Sequence, residues 1–240
     1  VLKINFYYGG TTMIAIWKKE FIQSFRSIFS LITIGIFIAV SYYLSDFVTN
    51  SSLLTGIKFA EAGYVSGLVF LIYIMGFLFI FSLFHDTINR ETESRTIRFL
   101  VTKTSRSSII VGKLLGIFSY WFICLLASFS MIAFFSHEFY IKTFGSLFVM
   151  LAYIVSLCVL LSCLIPKRSM SMFIGLLISM AIPTFGLWSL FSEKLWLKII
   201  KYMTPYHYML EGGTWGWLVV LLFTAIMVGV SILSLHRRDL

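Results

Sequence analysis

Apolar residues run almost without interruption through six stretches of this chain, and polar residues collect in the segments between them. The runs cover about 28–44, 64–84, 109–135, 144–165, 170–191 and 215–235. A helix needs roughly 20 apolar residues to cross a bilayer, so the pattern predicts six membrane-spanning helices in a single all-α transmembrane domain over 1–240. The first run is short for a crossing. The third is longer than one requires, and its opening turns, with Lys113, are expected to emerge into the interface, where a lysine can snorkel. Pro183 lies inside the fifth run and removes a backbone hydrogen bond, which predicts a kink or a break near Ser179.

The flanking segments have patterns of their own. In 1–27, Ile14, Trp17, Phe21, Phe25 and Ile28 recur at steps of three and four, with Lys18, Lys19, Gln23 and Arg26 largely on other faces. This spacing predicts an amphipathic helix lying in the membrane interface, its tryptophan at headgroup level. Residues 46–63 and 136–143 read as polar connections, and Pro166-Lys167-Arg168 as a tight basic turn. Between the last two runs, Leu195, Ile199, Tyr202 and Met203 have helical spacing, with Lys194, Lys198 and Lys201 interleaved, before Thr204-Pro205 breaks the pattern. Two short interfacial helices around a proline turn are expected there.

Composition and charge narrow the class. The chain is 59% hydrophobic and 12% charged over 240 residues, with a mean hydropathy of +0.95. Soluble domains run nearer a quarter charged, so lipid must be the solvent for most of this surface. The net charge of +9 follows the membrane rather than nucleic acid. With the N-terminus in the cytoplasm, 14 of the 19 Lys and Arg fall on the cytoplasmic side, and only Lys58, Lys142, Lys194, Lys198 and Lys201 fall outside. That bias predicts a multi-pass cell-membrane protein with both termini cytoplasmic. No cleavable signal peptide is expected, since the first apolar run begins only near Ile28 and no small-residue cleavage site follows it. Cys124, Cys158 and Cys163 all lie in apolar runs and predict neither disulfide nor metal site.

Catalytic chemistry is not indicated. No GxxxxGK[ST] occurs, because Gly112-Lys113 is followed by Leu114, so ATP hydrolysis by a P-loop is not expected of this chain. His85, His137, His207 and His236 are scattered at segment ends. The acids sit in loops or at the ends of spans, which argues against a proton- or sodium-coupled carrier. Gly63-xxx-Gly67, Gly112-xxx-Gly116 and Gly212-xxx-Gly216 are read as close helix packing.

One segment stands apart. Residues 85–108 mix both signs in Asp86, Arg90, Glu91, Glu93, Arg95, Arg98, Lys103 and Arg106, and Ile97, Leu100 and Val101 form a short apolar stripe. The order runs acids, small residues, a brief apolar helix, then bases, followed by Ile109, Ile110, Gly112 and Lys113. This order resembles the first cytoplasmic loop of the ABC type-2 permeases, the membrane subunits of ATP-binding-cassette exporters. Arg95 departs from it, standing where that family often has glycine. The resemblance implies that the segment is a coupling helix docking on a separate nucleotide-binding subunit, through Glu91, Glu93, Thr96, Ile97, Leu100 and Arg106. It also implies a permease dimer in the bacterial cytoplasmic membrane, no cofactor in this chain, and ATP with magnesium on the partner. The expected function is export of an amphipathic or apolar cargo such as a peptide toxin, an antibiotic or a lipid-like molecule. The alternatives are efflux of small drugs or ions by the same architecture, and a non-transporting immunity or sensory membrane protein. A membrane-embedded enzyme would need paired acids or His and Asp at membrane depth, which the spans lack.

Overall fold

The computed structural model describes residues 2–50, 65–94, 96–192 and 194–237. Its elements are helical throughout: α1 (Leu2–Arg26), α2 (Ile28–Asn50), α3 (Ser66–Phe70), α4 (Gly76–Phe84), α5 (Asn89–Glu93), α6 (Ile97–Lys103), α7 (Arg106–Ser136), α8 (Ile141–Leu164), α9 (Arg168–Phe191), α10 (Leu195–Met203), α11 (Pro205–Leu210) and α12 (Gly213–Arg237). Among the described residues, five helices are long and apolar enough to cross a membrane: Ser66–Glu93, Arg106–Phe134, Ile141–Leu164, Arg168–Phe191 and Trp215–His236. A sixth crossing is reached if the angled pair Met13–Arg26 and Ser30–Ala39, bent by 69°, counts as one. The chain is therefore an all-α, multi-pass membrane protein.

Burial follows the neighbours each helix has. α8 is the central helix, with Leu147, Met150, Ile154, Val155, Cys158 and Val159 all buried. α9 and α12 stand at the outside and expose Phe173, Leu177 and Met180, and Leu218, Leu222 and Ile226. In water such faces would demand a partner; in a bilayer they meet acyl chains. Edge-to-face rings stitch α7 to α8: Phe118 and Phe122 pack on Phe148, and Phe129 on Phe144, each such pair adding roughly 0.5–1.5 kcal/mol beyond its buried area.

The second span is not a plain α-helix. α3 and α4 are joined through a π-helical turn, Leu71–Met75. A wide turn leaves backbone groups poorly served, and Tyr206 of α11 donates its hydroxyl to the Tyr73 carbonyl at 2.5 Å. The Tyr206 ring reaches this depth because it crosses α9 at Gly186, where a Cβ would come within 2.4 Å of the ring. Next to it, Glu211 accepts from Lys201 at 3.1 Å and pairs with His207 at 2.7 Å. The Lys201 hydrogen bond holds the Glu211 carboxyl below its ordinary range.

Several expectations are corrected. α2 continues past Leu44 to Asn50, so the polar connection does not begin at Asp46; residues 51–64, with Lys58 and Gly63, lie outside those described. α9 is a continuous helix through Pro183, so the span is not broken there; membrane helices can keep their course where a proline removes one backbone bond. α1 turns Ile16, Glu20 and Ser24 inward, while its Ile14, and Ile28 at the start of α2, are exposed; the buried stripe of α1 is largely polar, one position out of phase with the apolar one.

Candidate functional site

The segment 85–108 lies at the end of the bundle that also carries α1, and it folds as two short helices rather than one. α5 ends where local hydroxyls compete for its carbonyls: Ser94 Oγ donates to the Arg90 carbonyl at 2.8 Å and contacts Thr96 Oγ1 at 2.8 Å. Ser and Thr offer such bonds outside helix geometry, and so stop helices. α6 follows, with Ile97 buried and Leu100 half-buried. α7 then opens on Ser105, whose hydroxyl accepts from the Ser108 amide as an N-cap.

Beneath α5 sits a buried ion cluster. Lys113 is fully buried, and its ammonium donates to Glu20 Oε1 at 2.8 Å and to the Thr87 carbonyl at 2.9 Å. Glu91 Oε2 stands 3.1 Å from the same nitrogen, an ion pair without hydrogen-bond geometry. Lys19 approaches Glu91 from the exposed side at 3.6 Å. The expectation that Lys113 snorkels into the interface is thus overturned. Snorkelling needs an open path to water, and α1 covers this one. It can lie so close because Gly112 and Gly116 flank the lysine: a Cβ on Gly116 would come within 2.6 Å of Glu20 Cβ, and one on Gly112 within 3.0 Å of the Met13 carbonyl. Trp17 Nε1 donates to Ser119 Oγ at 2.9 Å along the same contact.

A second set of contacts ties the segment to α8 and α9. The Ile88 amide donates to Ser162 Oγ at 2.9 Å, and Ser171 Oγ donates to the His85 carbonyl at 2.8 Å. Arg168 at the start of α9 pairs with Asp86 at 2.8 Å, and its amide donates to Glu93 Oε1 at 3.3 Å. On α1, the Gln23 side-chain carbonyl accepts from both terminal nitrogens of Arg90 at 2.9 and 3.0 Å. Residues 85–93 are therefore held by α1, α7, α8 and α9 at once.

The six residues singled out from sequence separate here. Glu93 and Thr96 are exposed, Leu100 is half-buried, and Glu91 and Ile97 face inward. Arg106 turns back and donates to the Leu235 and His236 carbonyls at 2.7 and 2.9 Å, which staples α7 to the end of α12. Side chains of Arg95, Arg98, Phe99 and Lys103 lie outside the described residues. Sequence reasoning missed Glu20 as the partner of Lys113, and Asp86 and Arg168 as a second pair beside it. The available signal was an acid four residues after Ile16 on the inward stripe of α1, matched by a base set between glycines near the start of α7. No group of three or more His, Cys, Asp or Glu suited to a metal occurs among the described residues. No protein-family model and no curated protein matches this chain.

Proposed function

We propose that this chain is the permease subunit of an ATP-driven exporter of the ABC type-2 kind, and that 85–108 is its dock for a separate nucleotide-binding subunit. The observation that carries this reading is the wiring of α5. A segment that is polar on its outer side, yet fixed to four long helices on its inner side, delivers an outside push to all of them together. A solvated loop with no such role would not need a lysine buried against two carboxylates, at a desolvation cost of several kcal/mol per ion that only close partners offset.

In this reading the charged end faces the cytoplasm, where its excess of Lys and Arg belongs. Glu93, Thr96 and Leu100 form the docking surface, with Arg106 beside them. Glu91 and Ile97 hold the dock from within. The partner binds ATP and magnesium, and closure of two such partners pushes α5 and α6 of two permease copies. The push is passed to α1 and α7 through Lys113 and to α9 through Arg168, and the spans part to release cargo outward. The chain's many aromatic residues and ten Met give an adaptable apolar surface that suits an amphipathic or apolar cargo, in the class of peptide toxins, antibiotics or lipid-like molecules.

The test is co-expression of the tagged chain with candidate P-loop ATPases, followed by purification in nanodiscs and an ATPase assay. An ATPase is expected to co-purify. Leu100→Asp is expected to lower its retention at least about tenfold, the size of a lost apolar anchor, and Glu93→Ala less, with thermal stability of the permease unchanged in both. If no ATPase is retained, the exporter reading fails and a non-transporting membrane protein takes its place.

A further inference from the structure

A cleft of about 380 Å³ opens in the elbow between α1 and α2, roofed by the end of α4 and the start of α5. α2 and α4 touch higher up, where the Phe37 and Phe79 rings pack 5.7 Å apart. Nearer the charged end they part, and the cleft lies between Ser27 and Ser30 on one side and Leu83 and Phe84 on the other. It lies at the bend between Met13–Arg26 and Ser30–Ala39. Its volume falls in the range of small-ligand sites, about 300–1,000 Å³.

The charge in the cleft is uneven. The carboxylates that line it, Glu20 and Asp86, already face Lys113 and Arg168. Arg26 and Arg90 also line it, and neither has a carboxylate partner among the described residues. Arg90 is held in place by the neutral Gln23 amide. Two guanidiniums thus stand without a carboxylate partner in a largely polar cleft, beside the apolar side chains of Leu83 and Phe84 on α4. Planar guanidinium forks match phosphate oxygens, and Leu83 and Phe84 give acyl chains a course. We infer that this cleft binds the phosphate of an anionic phospholipid, its headgroup on Arg26 and Arg90 and its chains leaving past Leu83 and Phe84 toward the outer face of the bundle. The lipid acts as a wedge in the α1–α2 elbow, whatever the chain transports.

The full chain, purified in detergent with mixed micelles of phosphatidylglycerol or phosphatidylcholine, provides the test, with bound lipid read by native mass spectrometry and stability by thermal shift. Phosphatidylglycerol is expected to be retained and to raise the melting temperature, and phosphatidylcholine to do neither. Arg26→Gln/Arg90→Gln is expected to lower phosphatidylglycerol retention by about tenfold or more. Ser27→Phe fills the cleft, leaves both arginines and is expected to do the same. Lys194→Gln/Lys198→Gln removes two positive charges at the opposite end and is expected to change nothing. Unchanged retention in Ser27→Phe overturns the assignment to the cleft, even if the arginine variant is impaired. A thermal shift of equal size with inorganic phosphate alone overturns the lipid as the source of the phosphate.

Discussion

Lys113 is the residue on which the charged end depends. Removing one member of a buried ion group leaves the others unpaired, which costs about 3–5 kcal/mol, whereas replacing the whole group with neutral residues of similar volume is often tolerated. Lys113→Met should therefore lower the melting temperature in detergent sharply. Lys113→Met/Glu20→Gln/Glu91→Gln should recover most of the loss. A triple variant no more stable than the single one would show that the cluster contributes packing rather than charge balance. Only part of this was readable from sequence. The charges of 85–108 stood out against apolar runs, but Lys113 read as a helix-end lysine, because a sequence shows how far a residue lies from the end of a span and not what covers it. Its partner Glu20 is 93 positions away, and nothing local joins the two.

At the scale of the helices, the seat of α1 on α7 is set by two glycines. Gly116→Val places atoms where Glu20 and the α1 backbone already are. Overpacking of this kind costs about 1–3 kcal/mol. It should lower thermal stability and raise the reactivity of Lys113 toward an amine reagent. Gly35→Ala on α2 is the matched control: no atom lies within 4 Å of the added Cβ, and stability should hold. The Gly112-xxx-Gly116 spacing announced close packing correctly, without saying which helix would use it. Helix ends were legible where the chain carries strong punctuation, as at Pro166-Lys167-Arg168 and at Thr204-Pro205. They were not legible at the end of α2, where Tyr42, Tyr43, Ser45 and Asp46 tolerate helix and interface alike. The split into α5 and α6 was also hidden, because it rests on single hydroxyl bonds from Ser94 and Thr96 rather than on a change in hydrophobicity.

Across the whole molecule, the two ends are coordinated through the second span, fixed at one end by Asp86, Ile88 and Glu91 and crossed in its upper half by Tyr206. Here the apolar pattern was silent by nature: 65–84 is apolar on every side, so it has no periodicity to betray a departure from α geometry. The spacing of the buried residues does carry a trace. Val65, Val69, Tyr73, Phe77 and Phe81 are all buried and recur at every fourth position. In a pure α-helix a four-residue step drifts about 40° around the axis, which over this length would carry the stripe nearly to the far side. The π-helical turn at Leu71–Met75 takes up the extra residue and resets the phase. Span two is thus read in two frames, and its length is fixed by counting as well as by membrane thickness. Deleting Met75, itself half exposed at 48%, should convert the turn to α-helix and rotate all that follows by about 100°. Asp86 would swing away from Arg168 and Glu91 away from Lys113. Met75→Ala should leave stability nearly unchanged, while the deletion should abolish the folded protein as judged by size-exclusion chromatography. The chain tolerates a change of side chain at that position, but not a change in how many residues precede its charged end.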